Sequence, residues 1–223
     1  YANFIGGQQI NFPAISLVVS GGHTELYLME SEKKLTWLGG TLDDAAGEAF
    51  DKTARLMGFG NGGGVAIQEA ASHYVASKKL VIKKLPRPML DKNNGLNFSF
   101  SGLKTAIWRQ WHECDDHPEA MVNAFAHEVQ ESITDVLVKK TMHAAALHGA
   151  RSIVLSGGVA ANTKLREKMF AASNATTAIP IHAPPVALCT DNAVYIASYA
   201  FFRGKQIPWE GITAAPDLSV EEI

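Results

Sequence analysis

The most constraining feature of this chain is a pattern that occurs twice, a short run of branched apolar residues ending in Ser-Gly-Gly. Ile15-Ser16-Leu17-Val18-Val19 runs into Ser20-Gly21-Gly22, and Ile153-Val154-Leu155 runs into Ser156-Gly157-Gly158. Each run predicts a buried strand that stops at a loop. A glycine pair there lets the backbone turn sharply and bring its N–H groups close to an anion, and the serine adds a short hydroxyl donor. Ordinary turn chemistry explains one such loop equally well. Two of them, the first closing a hairpin and the second opening a helix, predict two walls of a nucleotide-sized pocket.

The periodicity around these loops supplies the remaining elements. Strands are expected at Ile15 to Val19, Glu25 to Met29 and Leu35 to Leu38. Thr41-Leu42-Asp43-Asp44 has the form of a capping box, and Ala45, Ala49, Phe50, Thr53, Ala54 and Met57 recur at helical spacing up to Gly58. Gly60 to about Gly102, first Gly-rich and then Lys- and Pro-rich, reads as an insertion. Across its end, Leu96 to Lys104 alternates like a strand and then opens a helix at Ser101. Lys104 near that helix start is oddly placed for the helix dipole, which fits an anion or partner contact, although an ordinary surface lysine is the commoner explanation. A long central helix is expected from Pro118 to Gly149, then a strand at Ser152 to Leu155, a helix from Val159 to Ser173, a strand from Thr177 to His182 and a last helix from Asp191 to about Arg203. The order βββα, insert, α, βα, βα predicts an α/β fold, a ribonuclease-H-like lobe of the kind that forms half of an actin-like ATPase. Residues 1–12 are then a lead-in, 13–204 the lobe and 205–223 a tail.

With 223 residues and 47% hydrophobic composition, the chain can bury a sizeable core. A formal net charge of -2 leaves no global electrostatic footprint for nucleic acid, so any such contact needs a local basic patch or a partner chain. Cys114 and Cys189 lie far apart and outside any C-x-x-C, which fits a reducing compartment and argues against a disulfide scaffold or a thiolate zinc site. No apolar run approaches the roughly 20 residues that span a bilayer, so a cytoplasmic, membrane-free protein is expected.

Several polar residues admit two readings. Asp44, Glu48 and Asp51 share one helix face with Lys52 and Arg55 nearby, which is usually a solvated face with i,i+4 pairs. Asn162, just past the second Ser-Gly-Gly, can donate and accept toward a base or ribose, or simply occupy the first turn of its helix. Thr190 or Asp191 can cap the last helix without any function. His143 and His148 are poorly spaced as co-ligands and are expected to cover a helix end.

Five segments together resemble a known family. They are Phe12 to Glu25, Leu42 to Lys52, Phe98 to Ala106, Ser156 to Asn162 and Leu188 to Ala193. In this order they are similar to the tRNA threonylcarbamoyladenosine synthases of the TsaD type, once described as glycoproteases. The resemblance implies a two-lobed actin-like enzyme that transfers a threonylcarbamoyl group from threonylcarbamoyl-AMP to N6 of the adenosine 3′ of the anticodon, in tRNAs reading codons that start with A. It implies tRNA, a non-catalytic paralogue and a small P-loop ATPase as partners, and one divalent metal, iron or zinc, in the intact protein. Carried over by position, Val18, Val19, Ser20, Gly21 and Gly22 resemble the substrate-binding loop. Asp51 resembles a ribose-side carboxylate, Gly64 the glycine of the adenosine pocket, Asn162 a further nucleotide contact and Asp191 a metal ligand, with Ser20 near the metal. No side chain stands out as a nucleophile or general base.

The sequence departs from the family pattern in two places. The histidine pair that the family carries upstream of Tyr1-Ala2-Asn3-Phe4 is absent, so the chain is expected to lack the first lobe and a complete metal site and to be inactive alone. Asn61-Gly62-Gly63-Gly64-Val65 replaces the usual Tyr-Pro-Gly-Gly-Pro, which loosens the loop before Gly64. Two other classes of function are compatible with the same fold, a non-catalytic nucleotide-binding scaffold and a kinase or ATPase.

Overall fold

The computed structural model describes residues 1–214 apart from 8, 61, 77–81, 92–93, 115 and 177. Five strands, β1 (Ala14–Val19), β2 (Thr24–Met29), β3 (Leu35–Gly40), β4 (Ser152–Ser156) and β5 (Ile181–His182), form one sheet in the order β3-β2-β1-β4-β5. The β1–β2 and β2–β3 pairs are antiparallel, whereas β1–β4 and β4–β5 are parallel. This is the hairpin-led mixed sheet of a ribonuclease-H-like, actin-like lobe. Its last strand is shorter than the sequence suggests, because only Ile181 and His182 reach the ladder.

β1 is the central strand, and its alternation divides the core. Ile15, Leu17 and Val19 enter the main cluster with Ile153 and Leu155, while Ala14 joins Ile10, Met29 and Val154 in a smaller one on the other face. The register matters most for function. Val18 lies opposite Ser156 in the parallel β1–β4 pair, so both Ser-Gly-Gly loops leave the sheet side by side at the carboxyl ends of their strands. Crevices outside that edge are where α/β sheets bind ligands.

Helices α1 (Ala46–Leu56), α2 (Gly63–Ser72), α3 (Ser101–His112), α4 (Glu119–Leu147) and α5 (Thr163–Thr176) surround the main core. α4 is buried on several sides, with Phe125, Val129, Ile133 and Leu137 inside, as its length and apolar stripe predict. Within the stretch read as an insertion, α2 buries Ile67 and Ala71 against the main core. Arg87 in that stretch pairs with Glu128 and with Asp135, the latter at 3.0 Å, which ties it to α4. α6 (Ala193–Arg203) differs from the rest, since none of its residues is buried.

The capping box read at Thr41 does not form. Thr41 Oγ1 instead donates to the Asp44 carbonyl, Ala45 takes the N-cap position of α1, and the Ala46 N–H donates to Thr24 Oγ1 at 2.8 Å across the hairpin. A hydroxyl distant in sequence has taken the role of the local one, because the Ser-Gly-Gly hairpin delivers it there. The freed Asp43 caps α3: its Oδ1 accepts from the N–H groups of Phe100 and Ser101 at 2.8 and 3.2 Å, and its other oxygen accepts from the Ser99 and Ser101 hydroxyls.

Partial burial opposes the charge on Asp43, but the hydrogen bonds from Ser99, Phe100 and Ser101 outweigh it and hold this carboxyl below the usual aspartate range. A depressed folded-state value means stability that is present above the unfolded pKa, about 4, and is lost as pH falls through the folded value. Asp43→Ala should therefore cost about 1 kcal/mol at pH 7, the typical worth of such a cap. The difference from wild type, read from urea unfolding, should shrink steadily below about pH 4. A gap of the same size at acid pH would mean that the charge plays no part.

Candidate functional site

The two Ser-Gly-Gly loops border adjoining cavities that share Gly21 and Gly158. The first, of about 380 Å³, is lined by Phe50 and Asp51 of α1, Gly64 and Val65 of α2, and Val159 and Asn162 beyond β4. The second, of about 480 Å³, is bounded by Val18, Ser20 and His23 on one side and by Cys189, Asp191 and Tyr195 on the other. Each falls within the size range of small-molecule sites. The first turns of α1 and α2 and the 3-10 turn Gly158–Ala161 all line the first cavity, so three helix starts border it, although the Ala46 and Gly47 N–H groups of α1 already donate to Thr24 Oγ1 and the Ser20 carbonyl. That arrangement favours an anion.

The glycines divide by what a side chain would meet. Gly157 has φ +89 and ψ 167, and a Cβ there would lie 2.3 Å from the Val19 carbonyl oxygen. A Cβ on Gly47 would come within 2.5 Å of the Ser20 carbonyl oxygen, and one on Gly63 within 2.6 Å of Asp51. These three are glycines because the protein packs against them. Gly21 and Gly158 are different: a Cβ on either meets no atom within 4 Å, and neither has a positive φ. At Gly64 only Phe50 is within reach, at 3.9 Å. These three border the first cavity, so a side chain on them would fill the space a ligand would use.

The clamp at Gly157 has a measurable consequence. Its φ and ψ fall in a region that only glycine occupies at low cost, about 1–3 kcal/mol otherwise, and the clash adds to that. Gly157→Ala should lower stability by about 3 kcal/mol, which for a chain of this size is a fall of roughly 6–12 °C in melting temperature. An unchanged melting temperature would mean that β1 and β4 do not approach this closely at Gly157.

Side chains expected in the site are distributed unevenly. Lys52 pairs with Asp44 at 2.6 Å and with Glu48 at 2.9 Å, so the solvated-face reading holds for these two carboxylates. Asp51 takes no part in that pairing and lines the first cavity. Asn162 is the N-cap of α5 rather than a residue of its first turn. Its Oδ1 accepts from the Leu165 N–H at 2.9 Å while its Nδ2 donates to Gln130 at 3.0 Å. It is buried to 9% exposure and borders the first cavity with its amide already engaged on the protein side. Val19 is fully buried, so only its backbone can serve a loop function, and Gly22 borders neither cavity.

Asp191 does not cap α6. Asn192 does, its Oδ1 accepting from the N–H groups of Val194 and Tyr195 at 3.0 and 3.1 Å. Asp191 Oδ1 accepts from the Tyr195 hydroxyl at 3.0 Å, which orients the carboxylate from one turn farther along. The Tyr195 hydroxyl is raised above its ordinary pKa, by desolvation and then by this hydrogen bond. Cys189 also borders the second cavity, and burial pushes its thiol up despite Arg166 Nη2 at 3.3 Å. Among the described residues, no three His, Cys, Asp or Glu side chains gather closely enough to hold a metal ion. Asp191 is one candidate oxygen ligand, and the described side chains do not complete a site around it.

No motif in the sequence marks Gln68 as a site residue. It lies one turn beyond Gly64, borders the first cavity and accepts from the Thr163 N–H at 2.8 Å, linking α2 to the start of α5. Its only sequence signal is the i,i+4 spacing from Gly64.

A family model described as tRNA N6-adenosine threonylcarbamoyltransferase matches residues 1–198, a span that includes both Ser-Gly-Gly loops and both cavities. The chain belongs to the tRNA N6-adenosine threonylcarbamoyltransferase family. It is 48% identical over 203 residues to the protein of that name from Syntrophomonas wolfei, covering 91% of this chain and 58% of the relative. The protein of the same name from Persephonella marina is 42% identical over 208 residues, covering 92% of this chain and 57% of its own length. That from a Sulfurihydrogenibium species is 40% identical over 222 residues, covering 99% and 61%. The chain thus spans about three-fifths of the length of these curated relatives. Among the described residues, no helix is long and apolar enough to cross a membrane.

Proposed function

We propose that this chain carries the adenylate site of a threonylcarbamoyl transferase. The observation that carries the reading is the coincidence of the family match with a cleft whose glycines Gly21 and Gly158 face open space, with Gly64 beside them. The adenosine of threonylcarbamoyl-AMP lies in the first cavity against Phe50, Val65 and Val159, and Asp51 accepts a hydrogen bond from a ribose hydroxyl. Its phosphate meets the backbone N–H groups of the two loops, and the threonylcarbamoyl end extends toward Ser20 and Asp191 in the second cavity.

The substrate is a mixed anhydride and is already activated, so the protein's task is to position it and to stabilise developing charge. N6 of the tRNA adenosine attacks the carbamoyl carbon, the new C–N bond forms, the C–O bond to AMP breaks, and the amine proton is lost to solvent. AMP leaves with the negative charge, which the N–H groups of the two glycine loops stabilise. No protein nucleophile is needed. Asp191 could supply one oxygen to an iron or zinc ion, and none of the bond changes above is routed through that ion. Transfer RNA is the acceptor, a non-catalytic paralogue and a small P-loop ATPase are the partners, and the cytoplasm is the compartment.

The test is a transfer assay with the intact protein, its partners, a tRNA transcript and preformed threonylcarbamoyl-AMP, read by mass spectrometry of the digested nucleosides. N6-threonylcarbamoyladenosine should appear, and Asp51→Ala should raise the KM for the adenylate about tenfold, the worth of one hydrogen bond to a charged group. No modified nucleoside, with ATP-dependent phosphorylation or hydrolysis instead, would favour the kinase or ATPase reading of the same fold.

A further inference from the structure

The amphipathic helix α3 contains no acidic residue, although the whole chain carries a formal net charge of -2. Leu103, Ile107 and Trp111 form its buried stripe, and Lys104, Thr105, Trp108, Arg109 and His112 are exposed on the other side. Lys104 lies near the positive end of the helix dipole, where a cation lowers helix stability, so its position is not explained by the helix itself. Trp108 is 50% exposed and is held in place without being buried. The His112 ring lies 4.5 Å from the Trp108 ring, and His112 Nδ1 is 2.8 Å from the Trp108 carbonyl oxygen. A carbonyl only accepts, so Nδ1 carries the proton and donates.

Two of the acids flanking α3 are already engaged. Asp43 at the start of α3 is occupied by the capping hydrogen bonds, and Glu113 just past its end pairs with Lys83 at 3.0 Å, with Lys84 exposed beside it. A protein dock would surround Trp108 with other apolar side chains, whereas the exposed neighbours here are polar or basic. An ordered aromatic plane between cations suits an unstacked base and its phosphates.

We propose that this face of α3 docks tRNA, with Trp108 stacking on an unpaired base and Lys104 and Arg109 against the flanking phosphates. The identity of the RNA rests on the transfer reading above. The test uses Trp108→Ala and the double variant Lys104→Gln, Arg109→Gln in the intact protein with its partners. Each should raise the KM for tRNA about tenfold, with kcat and the affinity for threonylcarbamoyl-AMP unchanged. In filter binding of a tRNA transcript, the double variant should show a dependence of log affinity on log salt that is shallower by about 1.5, as expected for two lost phosphate contacts. The double variant changes only exposed side chains, so it keeps the test open if Trp108→Ala fails to fold. Filter binding also separates the two readings: α3-dependent tRNA binding without any transfer supports this face and removes the transfer reading. Wild-type KM and wild-type filter binding in both variants overturn the proposal, as does unchanged tRNA binding with failed assembly of the protein complex.

Discussion

Gly158→Val is expected to weaken binding of AMP-containing ligands about 100-fold, or roughly 2.7 kcal/mol, while leaving the melting temperature within a few degrees of wild type. The structure contains the reason for both halves of that result. A Cβ at Gly158 meets nothing within 4 Å, and no positive φ resists a side chain, so the free protein accommodates valine. The loss of unfolded-chain entropy even offsets some cost, by about 0.4–1 kcal/mol. The same side chain projects into space shared by both cavities, where the substrate would lie against the backbone. Its neighbour Gly157 behaves in the opposite way, since its substitution strains the β1–β4 junction itself. Calorimetric titration with AMP and thermal melts on the two variants therefore separate a glycine kept for a ligand from one kept for packing. Wild-type affinity in Gly158→Val would remove the pocket assignment.

Asp191→Asn is expected to reduce threonylcarbamoyl transfer at least about 100-fold, the scale on which loss of one preorganised electrostatic group is felt, with almost no effect on folding. Capping cannot account for the residue, because Asn192 satisfies the first N–H groups of α6. Asparagine at 191 still presents an oxygen to the Tyr195 hydroxyl, so the local hydrogen bond survives while the charge is lost. If the carboxylate binds a cation, a neutral amide is a poor replacement. If it instead faces the attacking N6 amine, which gains positive charge as the C–N bond forms, the same stabilising charge is missing. Single-turnover rates at saturating adenylate, measured beside melting curves, check the prediction. Full turnover in this variant would leave Asp191 without a functional role.

The sheet and the two Ser-Gly-Gly loops were legible because strand signals and glycine pairs are local and strong. Placing the loops beside each other required only the parallel β1–β4 register, which follows from the order of elements. Side-chain roles near helix starts were harder to read. Thr41 has the local form of a capping residue, yet Thr24 reaches α1 through the hairpin and Asp43 is drawn to α3, a pairing 58 residues apart at Ser101. Charge spacing could not separate Asp51 from Asp44 and Glu48, because all three share helical spacing and only the packing of α2 against α1 sets Asp51 beside a cavity. Assigning Asp51 and Asp191 to a site rested on family resemblance rather than on pattern. Gln68 carried no sequence signal beyond its spacing from Gly64, and its position became visible only when α2 was placed against the start of α5.

The position of the adenylate is decided by a crystal structure of the protein with a hydrolysis-resistant analogue of threonylcarbamoyl-AMP. The adenosine is expected between Phe50 and Val159 with a ribose hydroxyl on Asp51, the phosphate beside Gly21 and Gly158, and the threonylcarbamoyl end within reach of Ser20 and Asp191. Density for the analogue at any other surface, with the glycine-lined cleft filled only by solvent, would contradict this placement.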